Sequence, residues 1–240
     1  MTTRQSSLLI PGFLLSAGIA VAGFFISQTI YNAKVALNTA EAKGLAERRT
    51  KADRANWDIL FTVSGARRED LPELYEKAEK QQKIIVDLLT ESGFNEKEIR
   101  LGVLDYQSQQ FRDDKQKVVD EIHSLVGDIS VETDKVDLVS VVRSKVNRLI
   151  AQGIAIENRP PAYRFTRLNT IKPDMLREAT RNARLAANEF ASNAGVKVGG
   201  IRSARQGSFY VIDAGEEYGD TAKLEKDVRV VTTITFYLTD

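Results

Sequence analysis

Apolar residues follow three rhythms along this chain. From Leu8 to Ile26 the run LLIPGFLLSAGIAVAGFFI carries no charge. Those nineteen residues would make about 28 Å of helix, close to the roughly 30 Å hydrocarbon core of a bilayer. Ala20-Val21-Ala22 has the small-x-small form of a cleavage site, but Gly23-Phe24-Phe25-Ile26 carries the apolar run past it. The reading is a signal anchor over residues 1–31, in the membrane through residues 8–26. Arg4 on one side nearly balances Lys34 and Lys43 on the other. The tail before the span is too short to be a domain, so the C-terminal part is expected to be exported.

The second rhythm has helical spacing and occurs three times, each time ending in glycine and an apolar residue. The first segment starts at Asp70, with Glu73 placed for a capping box. It carries Leu74, Tyr75, Ala78, Ile85, Leu88 and Leu89 on one face and stops at Gly93-Phe94. The second starts near Thr133-Asp134, buries Leu138, Val142, Leu149 and Ile150, and stops at Gly153-Ile154. The third opens at Pro173, a favoured first helical position. Its stripe is Leu176, Ala179, Ala183, Ala187, Phe190 and Ala194, and it stops at Gly195-Val196. A left-handed glycine followed by an apolar residue is a common helix terminator.

The third rhythm is alternation. Ala55, Trp57, Ile59, Phe61 and Val63 share one face of a strand, and Val228–Leu238 is a second, rich in β-branched residues. Ile154–Phe165 reads as a strand broken at Pro160-Pro161. Val118–Val131 fits helix and strand spacing about equally, and strand is chosen. Gly102–Lys117, with its QSQQFRDDKQK run, is expected to be a flexible connection. The prediction is an α+β fold: antiparallel or mixed sheet covered by three main helices, in one domain over 32–240, after an N-terminal transmembrane helix. The recurring helix–Gly–strand unit hints at duplication, without residue identity to prove it.

Composition narrows the function. Lys+Arg is 34 against Asp+Glu 33, and Arg4 is the one charge before residue 27, so the rest is formally neutral. A duplex-binding domain carries a basic excess, so no nucleic-acid partner is expected. There is no cysteine and a single histidine, His123, which removes thiolate chemistry and multi-histidine metal sites. The dinucleotide fingerprint, the P-loop, G-x-S-x-G and S-x-x-K are absent.

His123, close to Asp120 and Glu121, is the best single acid–base candidate, against a structural histidine as the commoner case. The pairs Glu69-Asp70, Asp113-Asp114 and Glu216-Glu217 are candidate ligands or catalytic carboxylates, but they sit where capping and solvation explain charge. Trp57 reads as core, and Arg67-Arg68 beside Glu69-Asp70 as a solvated turn. Arg181 has Glu178 one turn away, whereas Arg184 has no local acid and is the freer cation for an acidic partner. KVGGIRSARQG (197–207) has glycines and arginines like a phosphate loop, but it follows a helix rather than preceding one. Arg202 and Arg205 point to opposite faces of a strand. Gly199 and Gly200 are assigned to a close pass over the alanine-rich helix, and Gly207 to a bulge.

KADRANWDILFTVSG (51–65), ELYEKAEKQQKIIVDLLTESGF (73–94), NTIKPDMLREATRNARLAANEFASNAGVKVGGIRSARQG (169–207) and VRVVTTITFYLTD (228–240) resemble the SIMPL-domain family. Its bacterial members include periplasmic oxidative-stress-defence proteins and immunogenic envelope proteins. The resemblance, over about residues 33–240, implies an α+β fold, export and self-association, and supplies no catalytic residues. The chain departs from the family pattern around Gln107–Lys117, which puts the hairpin there in doubt. The expected protein is therefore an inner (cytoplasmic) membrane, single-pass envelope protein with residues 32–240 in the periplasm. It would act non-enzymatically, as a homo-oligomer or by binding envelope proteins, in envelope or oxidative-stress maintenance. No catalytic, cofactor-binding or metal-ligating residue is assigned, and no cofactor. The alternatives are a small-molecule-binding envelope module and a hydrolase without a recognisable motif.

Overall fold

The computed structural model describes residues 6–35 and 38–239. The fold is α+β, with antiparallel sheets and an apolar N-terminal helix. The chain divides into two compact units, one of residues 1–47, 172–209 and 229–240, the other of residues 48–171 and 210–228.

In the first unit, α1 spans Ser6–Val35, and Pro11–Tyr31 is long and apolar enough to cross a membrane. Two of its hydroxyls bond within the helix, Ser16 donating to the Phe13 carbonyl at 2.9 Å and Thr29 to the Phe25 carbonyl at 2.8 Å. Arg4, used above for orientation, lies outside the described residues.

The same unit holds most of a three-stranded sheet in the order β1 (Thr39–Lys51), β9 (Glu225–Thr239), β8 (Lys197–Asp213), and most of helix α4 (Leu168–Asn193). Met175, Ala179, Ala183, Ala187 and Ala191 form the buried side of α4. Small side chains there let a strand backbone approach the helix. That strand is β1: a Cβ on Gly44 would stand 1.8 Å from the Ala179 carbonyl oxygen and 2.4 Å from the Ala183 nitrogen. Asn182 donates to the Leu45 carbonyl at 2.8 Å beside it. The assignment of this role to Gly199 and Gly200 is corrected: Gly199 lies against Tyr237 of β9, and Gly200 faces open space. Gly207 sits 2.5 Å, by its missing Cβ, from the Val231 carbonyl oxygen.

The second unit is built round β2 (Arg54–Gly65), which pairs antiparallel with β5 (Val118–Thr133) from Ala55↔Thr133 to Gly65↔His123. Short strands β3 (Ile99–Leu101), β6 (Ala155–Asn158) and β7 (Ala162–Arg164) complete the sheet with β4 (Asp105–Arg112). The odd-numbered side chains of β2 and β5 face α2 (Leu71–Glu91) and α3 (Val136–Arg148). Trp57, Ile59, Phe61, Ile129, Ile85, Leu89, Val139 and Val142 make a fully buried core there. The Phe61 ring fills the space where its partner Gly127 lacks a side chain, with ring atoms 2.3 Å from the position a Cβ would take.

The three glycine terminators form as expected. Gly93, Gly153 and Gly195 have φ of 109°, 86° and 72°. The next amide reaches back each time, Phe94 to the Leu89 carbonyl at 3.2 Å, Ile154 to Leu149 at 3.3 Å and Val196 to Ala191 at 2.9 Å. This is the Schellman arrangement. Val118–Val131 is a strand, and Pro160-Pro161 separates β6 from β7.

Several expectations are corrected. Gly102–Lys117 is no flexible connection: β4 pairs with β5 from Asp105↔Val126 to Arg112↔Val118, so the doubted hairpin exists. Pro173 lies inside α4, which begins at Leu168. Asp70 makes no side-chain cap, because Arg67 occupies its carboxylate; the capping box closes instead at Asn95 and Glu98. Tyr75, Ile150, Phe190 and Ala194 are exposed, and Gln81, Val139, Val146 and Met175 take their places in the buried stripes. Tyr75, Ile150 and Phe190 each lie one position from a buried residue, and Ala194 lies beyond the end of α4.

Candidate functional site

Period-2 alternation places His123, Leu125 and Gly127 of β5 on the core side, and the β4 hairpin brings Tyr106 and Ser108 onto that side. His123 is 3% exposed. Its Nδ1 lies 2.8 Å from the Tyr106 hydroxyl, with the rings stacked at 6.0 Å and 13°. Ser108 is the cross-strand partner of His123, but its hydroxyl donates to Glu121 at 2.5 Å. That bond is the main reason the Glu121 carboxyl is held below its usual range. A serine, a histidine and a carboxylate are thus neighbours without forming a relay. Nucleophile activation needs the serine hydrogen-bonded to the imidazole, and here the bonds run as two separate pairs. The geometry locks the base of the hairpin.

The acidic pairs are likewise drawn into local structure. Arg67 bonds Asp70 at 3.0 Å and lies 3.5 Å from Glu69. Asp113 accepts the amides of Lys115 and Lys117, both at 2.9 Å, and so shapes the hairpin turn. Glu216 pairs with Lys223 at 2.6 Å, while Glu217 has no partner among the described residues. Trp57 is core, its indole donating to Asn158 at 2.9 Å. Arg181 is exposed on α4. Arg184 is not the free cation expected, since its guanidinium lies over the Phe236 ring at 5.6 Å. Among the described residues no three His, Asp or Glu side chains cluster as metal ligands would.

Four features were missed. Lys226, with no exposed surface, bonds Asp213, which also accepts the amides of Ala222 and Lys223 at 2.8 and 3.0 Å. Burial opposes charge on Asp213, but these bonds outweigh it and hold the carboxyl below its usual range. Asp53 lies beside a cleft of about 340 Å³ with Arg54, Asp134, Thr166 and Arg167. It receives the amides of Thr166 and Arg167 and the Arg167 guanidinium, so its carboxylate is fully engaged at the start of α4. On the open face of the sheet, burial and then the charge of Asp58 push Asp128 above its usual range. Asp58 itself accepts from Ser130 at 2.7 Å. Finally, Glu41, Lys43, Ser203, Arg205, Thr233 and Thr235 line a shallow basin of about 310 Å³ in the first unit. Alternation marks Glu41, Lys43, Thr233 and Thr235 as polar-side, but which strands meet is set by register and order, which spacing alone does not disclose.

Residues 41–236 match the family model for the SIMPL domain, described as a protein of unknown function (DUF541). The chain belongs to the SIMPL family. Among curated proteins none matches it. The SIMPL match spans both units and every feature described above except α1, so the hairpin, the loop after β8 and the basin are parts of the SIMPL domain.

Proposed function

We propose that this SIMPL protein is anchored in the inner membrane by α1 and presents residues 32–240 in the periplasm, where it works through self-association or protein binding rather than catalysis. The observation that carries the reading is the β4–β5 ribbon. Residues 118–122 of β5 pair with β4 alone, beyond the last β2 partner at His123. Every residue of β4 is exposed, and so are Val118 and Val119 at the far end. A two-stranded ribbon is marginal in water by itself, and Tyr106, Phe111, Val118 and Val119 give it apolar surface for a partner to cover. A role in envelope maintenance under oxidative stress would be indirect, because sulfur is limited to Met1 and Met175 and the latter is buried.

A photo-crosslinking residue placed at Phe111 or Val119 of the full-length protein in cells tests this. The expected result is a discrete adduct with a second copy or an envelope protein. Uncrosslinked protein at both positions contradicts it. The basin of about 310 Å³ keeps a small-ligand reading open; stabilisation by a metabolite in a thermal-shift screen would favour it.

A further inference from the structure

We infer that the loop joining β8 to β9 of one copy docks into the polar basin of a second copy, with Glu217 and Tyr218 meeting Lys43, Arg205 and the hydroxyls around them. The inference rests on the self-association reading above and adds an interface to the β4–β5 ribbon.

The loop is built to present its tip. Lys226 and Asp213 form a buried ion pair at its base, and the ammonium also donates to the Asp220 carbonyl at 2.9 Å. The Asp213 amide bonds the Gly219 carbonyl at 2.8 Å, and the Gly215 amide bonds Asp227 at 3.1 Å. Gly215 and Gly219 supply the left-handed turns, with φ of 75° and 90°. Taking a lysine wholly out of water is costly, and a buried pair is weak as a source of stability. What it does here is fix the shape of a surface loop. On that rigid frame Tyr218 stands 86% exposed, next to the unpaired Glu217. With its backbone held by the loop and few side-chain torsions to fix, a tyrosine there loses little conformational freedom on binding, which is why such residues anchor interfaces.

The basin has the complementary chemistry. Ala42, Ile234 and Phe236 are buried in the core beside α4, so the alternate residues Glu41, Lys43, Thr233 and Thr235 form the opposite face. Lys43 and Arg205 make no ion pair and the three hydroxyls no hydrogen bond among the described residues. Two cations against one carboxylate leave the basin positive. Beside it, residues 200–206 of β8 are exposed at every position, although they lie mid-strand. The loop brings the free Glu217 carboxylate and a phenol, and the basin offers cations and hydroxyls. Loop and basin are different surfaces, so the contact either closes as a reciprocal dimer or continues head-to-tail into a ring or filament.

The test is a charge swap in the full-length protein in mild detergent, read by sedimentation velocity. Arg205→Glu and Glu217→Arg each place like charges at the contact, and self-association of each alone is expected to weaken about tenfold or more. Mixed in equal amounts, the two match each other in both directions, and association is expected to return. Both positions are exposed, and unchanged thermal melts would show both variants folded. Single variants that associate like the parent, or a mixture that does not recover, overturn the docking inference and leave self-association standing. A parent protein that is monomeric at every concentration overturns both.

Discussion

Gly44→Ala is the sharpest structural perturbation available. The added methyl would sit 1.8 Å from the Ala179 oxygen and 2.4 Å from the Ala183 nitrogen, both backbone atoms that no rotamer change can move. Carbon contacts settle near 3.5 Å, so strand and helix must separate by roughly 1.5 Å. A gap of even half that along the Ala179–Ala183–Ala187 stripe forfeits a quarter to a half of each contact, and overpacking costs typically reach about 3 kcal/mol. The Asn182 bond to Leu45 would stretch from 2.8 Å and fail, a further ~1 kcal/mol. The expected loss is thus about 3–4 kcal/mol. At a urea slope of about 2 kcal/mol per M, the midpoint falls by roughly 1.5–2 M. Gly200→Ala is the control, because nothing lies within 4 Å of its Cβ position. It should change stability by less than about 1 kcal/mol, in the stabilising direction if at all. The assay is far-UV circular dichroism against urea on the full chain in mild detergent. Equal midpoints for the two variants would refute the packing argument.

Three other outcomes are expected. Lys226→Met leaves Asp213 buried without its cation and should cost about 3 kcal/mol in the same urea assay. In Asp53 burial opposes the charge, but bonds from Thr166 and Arg167 outweigh it and depress the carboxyl pKa. A depressed folded value stabilises above the unfolded value near 4 and is lost as pH falls through the folded one. Asp53→Asn should therefore melt lower at neutral pH and converge with the parent as the pH falls below the depressed folded value, by thermal scan. Tyr106→Phe removes the hydroxyl bonded to His123 and should speed amide exchange in β4 about fivefold, for a bond of about 1 kcal/mol.

Local chemistry carried most of what could be read in advance. The Gly93, Gly153 and Gly195 terminators follow from left-handed φ and one apolar neighbour, and a single chain segment contains all of that information. The β2 and β9 alternations are equally local. What failed involved two distant segments. Phe190 and Ile150 fit a helical stripe, but α4 and α3 roll to bury Met175 and Val139 according to what packs against them. The QSQQF run lacks a hydrophobic signature because β4 is exposed on both faces, so periodicity had nothing to report. Gly44 was overlooked because its constraint lies in the Ala179 carbonyl, more than a hundred residues away. His123 drew notice as the lone histidine, and its partner Tyr106 became visible only through the hairpin register.

The mass of the full-length protein in mild detergent, measured by light scattering across a concentration series, tests the central claim most directly. An assembly at a multiple of the 26.7 kDa chain is the expected result. A particle that stays at one chain throughout, with no partner crosslinked to it in cells, would contradict the account.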